Sequence, residues 1–210
     1  MRKHLILSAA AALVLGGQAL ADDMNYTYVQ GNLLGSTISN DGGSTDGNGG
    51  GMEASMLLGG NLFASADLET VKYSESGTSL RFTSGSFGLG GYLPLGANLD
   101  LVSGVSFERL DAKYSDDEFG SDSESFNGWG IRFGLRGRFA GKWQWDAGVK
   151  YRDIKDLQSI ISVPLNVRYY FTPAFALGAG LTYNKYDKDT LASHESVAAI
   201  SVRYEFGRHP

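Results

Sequence analysis

Residues 129–151 alternate between large apolar side chains and glycine or charged side chains, with a period of two. The apolar positions are Trp129, Ile131, Phe133, Leu135 and Phe139 and, after a short break, Trp143, Trp145, Ala147, Val149 and Tyr151. The positions between them include Gly130, Arg132, Gly134, Arg136 and Arg138, then Asp146, Gly148 and Lys150. A period of two places successive side chains on opposite faces of a strand, so the segment predicts a β-hairpin.

One face of this hairpin is too apolar for water, and the other carries charges in the middle of the strand. The alternation alone leaves open which face is outside. Because Trp and Tyr at strand ends are typical of the membrane interface, the pattern favours a lipid-facing apolar exterior. We therefore predict an all-β fold, an antiparallel up-and-down transmembrane β-barrel. Ten strands are expected, and eight remain an alternative if the first or fourth segment is misassigned.

The predicted strands are residues 26–34, 52–59, 62–73, 80–93, 99–112, 129–139, 143–151, 160–171, 175–183 and 196–206. Four connections are tight, at 60–61, 94–98, 140–142 and 172–174. The others, at 36–51, 74–79, 115–125, 153–158 and 187–195, are mostly longer and more polar. Since outer-membrane barrels have short periplasmic turns, the tight set and both termini are expected in the periplasm. The glycine-rich segment 36–51 is expected to be a flexible loop.

The first 21 residues predict a secretory signal peptide. Arg2, Lys3 and His4 precede an apolar run, which ends in the small-residue site Ala19-Leu20-Ala21. An uncleaved anchor is the alternative, although the run is short for a helical span. The expected organisation is a signal peptide at 1–21, a barrel at 22–206 and a tail at 207–210, located in the outer membrane. The absence of cysteine excludes a lipid anchor on cysteine and a disulfide scaffold.

The charge of the predicted mature chain argues against a nucleic-acid partner. Removing Arg2 and Lys3 from the 18 basic residues leaves 16 against 23 acidic ones, a net charge of 16 − 23 = −7. Nucleic-acid binding requires clustered positive charge. No cofactor is expected, and a monomer is favoured.

The chain resembles the small outer-membrane β-barrel proteins of Gram-negative bacteria, which include opacity, attachment-invasion and OmpA-type barrels. The final strand, residues 197–206, resembles the signal read by the barrel-assembly machinery, with Tyr204 and Phe206 as its aromatic positions. It departs from that pattern because four residues follow Phe206. Residues 127–137 are also similar to quorum-regulated small outer-membrane proteins of xanthomonads. These likenesses imply lipopolysaccharide and the assembly machinery as partners, and they transfer no catalytic residue.

Two sets of residues follow from the predicted faces. The lumen is expected to hold a charge network of Asp67, Glu69, Asp100, Glu108, Arg132, Arg136, Arg138, Lys150, Arg152, Arg168 and Arg203. The membrane rims are expected to carry Trp129, Phe139, Trp143, Trp145, Tyr151, Phe171, Phe175 and Tyr183. Because buried charges need partners, the network is interpreted as a structural plug rather than a narrow ion path.

Two further features have ordinary and functional interpretations. The acidic segment 115–125 could bind Ca²⁺ or Mg²⁺, but it matches no defined ligand loop, so a solvated loop is the default. His194 and Ser196 share one side of a strand and could form a hydrolase site, although the sequence singles out no carboxylate partner. We predict a non-enzymatic structural or surface-interaction role at the envelope. A porin-like channel is the alternative, and a rim hydrolase is a less favoured one.

Overall fold

The computed structural model describes residues 24–40, 42–75, 77–116, 120–187 and 193–206. These residues form ten strands: β1 (Tyr28–Asn40), β2 (Gly43–Gly59), β3 (Leu62–Glu75), β4 (Thr78–Gly96), β5 (Leu99–Asp116), β6 (Gly120–Phe139), β7 (Trp143–Ile154), β8 (Gln158–Tyr170), β9 (Phe175–Tyr186) and β10 (His194–Glu205). The predicted signal peptide and the tail at 207–210 lie outside the described residues. None of the described residues belongs to a helix that is long and apolar enough to span a membrane.

The strands close into a barrel. Each strand pairs antiparallel with its neighbour in the chain, and β1 pairs with β10 from Tyr28 and Glu205 at one end to Ser39 and His194 at the other. Closure leaves no unpaired edge within the span, which is the condition for a sheet to cross lipid. The predicted fold class, a ten-stranded antiparallel barrel, is confirmed.

The barrel has apolar side chains on its outside and polar ones on its inside, which is the reverse of a soluble protein. On the outside, Leu33 is 72% exposed, and Leu181 and Ile200 are each 63% exposed. On the inside, Arg203 is 1% and Gln144 is 0% exposed. An apolar exterior around a polar interior is the arrangement expected of a barrel in lipid.

Outward-facing aromatic side chains mark both limits of the apolar surface. We call the end with the turns 60–61, 97–98, 140–142 and 171–174 the short-turn end, and the opposite one the distal end. The short-turn end carries Phe139, Trp143, Trp145, Phe171, Phe175, Tyr204 and Phe206, and the distal limit carries Phe107, Trp129, Tyr151 and Tyr183. Trp129 and Phe139 are roughly ten residues apart on β6, or ~33 Å. At a strand tilt of about 40° this corresponds to ~25 Å of height, the thickness of an apolar band.

The prediction of a flexible loop at 36–51 is wrong. Residues 36–40 and 43–51 form the distal halves of β1 and β2, which pair from Ser36 and Gly47 up to Asn40 and Gly43. Its glycines allow close packing against the next strand, as at Gly49, where a Cβ atom would lie 1.8 Å from the carbonyl oxygen of Thr70. The glycine-rich composition therefore reflects a steric requirement of the sheet rather than a linker.

The segment 115–125 was predicted to be a solvated loop, and its residues 120–125 are exposed, but its described residues form strands rather than a loop. β5 continues to Asp116 and pairs with β6 from Gly120, while Asp117 and Glu118 lie outside the described residues. On its other side, β6 pairs with β7 only from Gly128 onward. In the described part of the chain, residues 120–126 are thus a strand edge beyond the distal aromatic limit.

Tyr26 was predicted within the first strand, but β1 begins at Tyr28. Tyr26 precedes the strand and lies inside the barrel, where it is 2% exposed. The mixed parity of residues 26–34 in the sequence arises because Tyr28 and Leu34, which are large and apolar, face the lumen, while Val29 and Leu33 face outward.

Candidate functional site in the barrel lumen

An aromatic cluster fills the lumen at the short-turn end. The ring of Tyr26 stacks between Tyr92, at 4.2 Å between centroids, and Phe63, at 5.1 Å. Its hydroxyl donates a hydrogen bond of 2.8 Å to Asp100 Oδ2, and the guanidinium of Arg136 lies 4.5 Å from its ring centroid. We call Tyr26, Phe63 and Tyr92 the aromatic plug.

A layer of charged and amide side chains crosses the lumen next to the plug. Asp146 of β7 accepts hydrogen bonds from Arg136 Nε of β6, at 2.6 Å, and from Arg168 of β8. Gln30 Oε1 of β1 accepts from Arg168 Nε at 3.1 Å and from Arg203 Nε at 2.9 Å. We call these five residues the cross-lumen layer, and they connect strands on opposite sides of the barrel.

The charges farther toward the distal end are less completely paired. Lys150 forms an ion pair of 2.9 Å with Glu108, and Ser86 donates to Asp67. Arg132 lies over the ring of Phe63 at 5.2 Å, and Arg152 donates to Ser162 at 3.0 Å. This part of the lumen therefore contains both signs of charge with few direct ion pairs.

At the distal mouth, the carboxylate of Glu195 accepts hydrogen bonds from neutral donors of several strands. The donors are Ser36 at 2.7 Å, Tyr73 at 2.8 Å, Asn184 at 2.8 Å and Tyr186 at 2.7 Å. Leu34, Val71 and Tyr73 form a buried apolar cluster beside it, with Phe82 packed against them. The mouth is thus more apolar than the middle of the lumen.

The structure places every residue of the predicted lumen set on the inner face. Asp100 is 0%, Glu108 is 4% and Arg168 is 4% exposed, and Arg138 lies over the ring of Tyr170. Sequence reasoning omitted four acidic lumen residues: Glu53, Asp146, Glu195 and Glu205. The alternation already places Asp146 on the polar face of β7 with Lys150, so Asp146 belonged in the predicted network.

The described residues bring little support for a catalytic or metal site at the distal rim. His194 Nδ1 lies 3.2 Å from the hydroxyl of Ser193, which differs from the Ser196 partner suggested by the sequence. The neighbouring carboxylate of Glu195 points inward and is engaged by its four donors. No group of His, Asp or Glu side chains within the described ranges has the arrangement of a metal site.

Comparison with solved structures gives similar barrels at low sequence identity. Neisserial surface protein A is 18% identical, with a TM-score of 0.47, over 85% of this chain and 96% of the other. Ail, the attachment invasion locus protein of Yersinia pestis, is 14% identical, with a TM-score of 0.47, over 87% of this chain and 100% of the other. The N-terminal β-barrel domain of Pseudomonas aeruginosa OprF is 11% identical, with a TM-score of 0.43, over 87% and 100%. No curated protein matches the chain.

A family model provides the assignment that these distant structures do not. The model of the outer membrane protein beta-barrel domain matches residues 7–171, which is most of the chain. The match agrees with the closed barrel, the apolar exterior and the two aromatic limits. The chain belongs to the outer membrane protein β-barrel domain family.

Proposed function

We propose that this barrel has a non-enzymatic structural and surface-interaction role in the outer membrane, and that its distal wall binds the phosphates of lipopolysaccharide. The observation that carries the proposal is a row of three basic side chains across adjacent strands. Lys72 of β3 is the register partner of Arg81 of β4, which is the partner of Lys113 of β5. We call these three residues the basic row.

The basic row lies outside the barrel, beyond the lipid-facing apolar surface. All three side chains are exposed and point to the same side as Phe87 and Phe107. Arg81 and Lys113 are each about six residues beyond these phenylalanines, which is ~20 Å along a strand and ~15 Å in height at the usual tilt. With the short turns in the periplasm, the row is at the level of the outer-leaflet headgroups.

The row has no anionic partner among the described side chains, since none of their ion pairs includes Lys72, Arg81 or Lys113. Like charges directly opposite each other destabilise a sheet. An external anion would offset that cost, and phosphate is a strong acceptor for arginine and lysine. Lipopolysaccharide presents phosphates at this level of the membrane.

The lumen supports the structural part of the proposal over the channel alternative. The aromatic plug and the cross-lumen layer fill the short-turn half of the lumen with buried side chains. Barrels of about eight strands have interiors filled by side chains, and open aqueous channels occur at about 16 strands. Hydrogen bonds across the lumen therefore serve to hold the wall in one shape.

The basic row is tested by replacing Lys72, Arg81 and Lys113 together by Gln. The midpoint of thermal unfolding, followed by the heat-dependent gel shift of barrels, is measured in vesicles of deep-rough lipopolysaccharide and in phosphatidylcholine vesicles. The wild-type barrel is expected to unfold at a higher temperature in lipopolysaccharide, and the triple variant should lose most of this gain. Lys142→Gln, at the short-turn end, removes a charge far from the row and should keep the gain. An unchanged gain in the triple variant would refute the proposal.

A further inference from the structure

A cavity of about 400 Å³ lies between the cross-lumen layer and the distal mouth. Leu34, Val71 and Phe82 line it near the mouth, and charged side chains line it below. A volume of this size is within the range of sites that hold small molecules. The composition of its walls indicates which molecules fit.

Opposite walls of the cavity carry opposite charge. Glu53, Asp67 and Glu69 come from β2 and β3, whereas Arg132, Lys150 and Arg152 come from β6 and β7. Among the described side chains, Lys150 is the one member of these walls with an ion pair, and its partner is Glu108 rather than the acidic wall. The charges of the two walls thus remain separated across the cavity.

Buried polar atoms lining the cavity lack hydrogen-bond partners among the described residues. Arg203 is 1% exposed, and its Nη1 and Nη2 atoms have no acceptor. Arg152 Nε also has none, and Gln158, which is 7% exposed, has an Oε1 atom without a donor. Leaving such groups unpaired is costly, and both donors and an acceptor are free.

We propose that the cavity binds a small zwitterion of the amino-acid class. Its ammonium group would face Asp67 and Glu69, its carboxylate would face Arg132 and Arg152, and an apolar side chain would lie toward Val71 at the mouth. A simple anion would be attracted by the basic wall but repelled by the acidic wall. A simple cation would be repelled by the basic wall. Placing like charges together is unfavourable, so only a molecule with both charges complements both walls.

Three fluorinated compounds that share one ring test this charge requirement. They are 4-fluoro-L-phenylalanine, 3-(4-fluorophenyl)propanoate, which lacks the ammonium group, and 2-(4-fluorophenyl)ethylamine, which lacks the carboxylate. Binding to the full barrel in phosphatidylcholine nanodiscs is measured by ¹⁹F line broadening, with empty nanodiscs as the blank. The zwitterion should bind at least about tenfold more tightly than either analogue, a difference of about 1.4 kcal/mol. Equal affinities, tightest binding of an analogue, or no binding above the blank would overturn the proposal.

Substitutions in the two walls should act in opposite directions on the charged analogues. Glu69→Gln should weaken binding of the zwitterion and strengthen binding of the propanoate. Arg132→Gln should weaken binding of the zwitterion and strengthen binding of the ethylamine. Arg109→Gln removes an arginine outside the lumen and should change none of the three affinities. Val71→Trp, which fills the mouth, should abolish binding of all three and gives a second test if a charge variant does not fold. If both wall variants shift the two analogues in the same direction, the walls do not act as proposed.

Discussion

The ring of Tyr26 lies parallel to that of Tyr92, with 4.2 Å between centroids and 7° between planes. The same side chain donates its hydroxyl to Asp100, which is 0% exposed. Replacing Tyr26 by Ala therefore removes a buried ring and leaves a buried carboxylate without its donor. We expect a loss of stability of about 3–5 kcal/mol, the usual range for large aromatic residues in cores. Urea unfolding of the vesicle-bound barrel, followed by tryptophan fluorescence, measures it.

Tyr26→Phe separates the two contributions, because it keeps the ring and removes only the hydroxyl. Its cost should be about 1–3 kcal/mol, the penalty for leaving the buried acceptor unsatisfied. A Tyr26→Ala barrel that unfolds at the wild-type urea concentration would show that the aromatic plug contributes nothing to the fold.

Single-channel recording in planar bilayers tests whether the lumen is closed. The wild-type barrel should give no discrete current steps. Tyr26→Ala alone should also give none, because the hydrogen bonds of Asp146 to Arg136 and Arg168 remain in the cross-lumen layer. Steps should appear in the Tyr26→Ala/Arg136→Ala double variant. Regular steps from the wild-type barrel would instead support the channel interpretation.

Leu165 and Asn166 are neighbours on β8 that point to opposite faces. Leu165 is 49% exposed on the outside, and Asn166 lines the cavity. A lysine facing lipid near mid-membrane costs about 2–4 kcal/mol, whereas the lumen is polar. Leu165→Lys should lower folding yield into vesicles, and Asn166→Lys should affect it much less. A lower yield for Asn166→Lys than for Leu165→Lys would mean that the faces are reversed, and equal yields would mean that β8 does not separate lipid from lumen as described.

The end of β10 provides a test of the predicted assembly signal. The ring of Phe206 lies 4.9 Å from that of Tyr204, and its backbone N–H donates to the carbonyl of Thr27 at 3.0 Å. Phe206→Ala should lower the amount of barrel in the outer membrane and raise periplasmic degradation, as seen by fractionation and immunoblotting. Deleting residues 207–210 should leave the amount nearly unchanged. The reverse result would place the signal in the tail.

The part of each strand that crosses the membrane could be predicted, because contact with lipid requires an apolar side chain at every second position. Lipid accepts only apolar side chains, so positions such as Phe133 and Leu165 have to alternate with the lumen positions. Beyond the distal aromatic limit the outer face of β6 carries Ser121, Ser123 and Ser125, since it is surrounded by water. The apolar alternation stops at this limit, although the backbone hydrogen bonds between the strands continue beyond it. The predicted strands are too short at their distal ends for this reason.

The partners of the lumen charges could not be predicted in the same way. Alternation predicts that Arg136 and Arg168 face the lumen. Both donate hydrogen bonds to Asp146 because of the register of β6, β7 and β8, which alternation does not specify. Tyr26 lies in the segment before β1, so strand alternation does not give its contacts in the lumen. Its position depends on Tyr92 and Asp100, which are distant in sequence.

The strand edge at residues 120–126 affects how crowded copies of this barrel behave in one membrane. An open edge can template pairing with another chain, and two barrels lying side by side could join their sheets there. Asp122 and Glu124 lie along this edge, so two copies that meet edge to edge bring carboxylates of like charge together. Repulsion between these carboxylates should therefore oppose the joining of sheets from neighbouring copies, and neutral replacements at both positions would remove that protection.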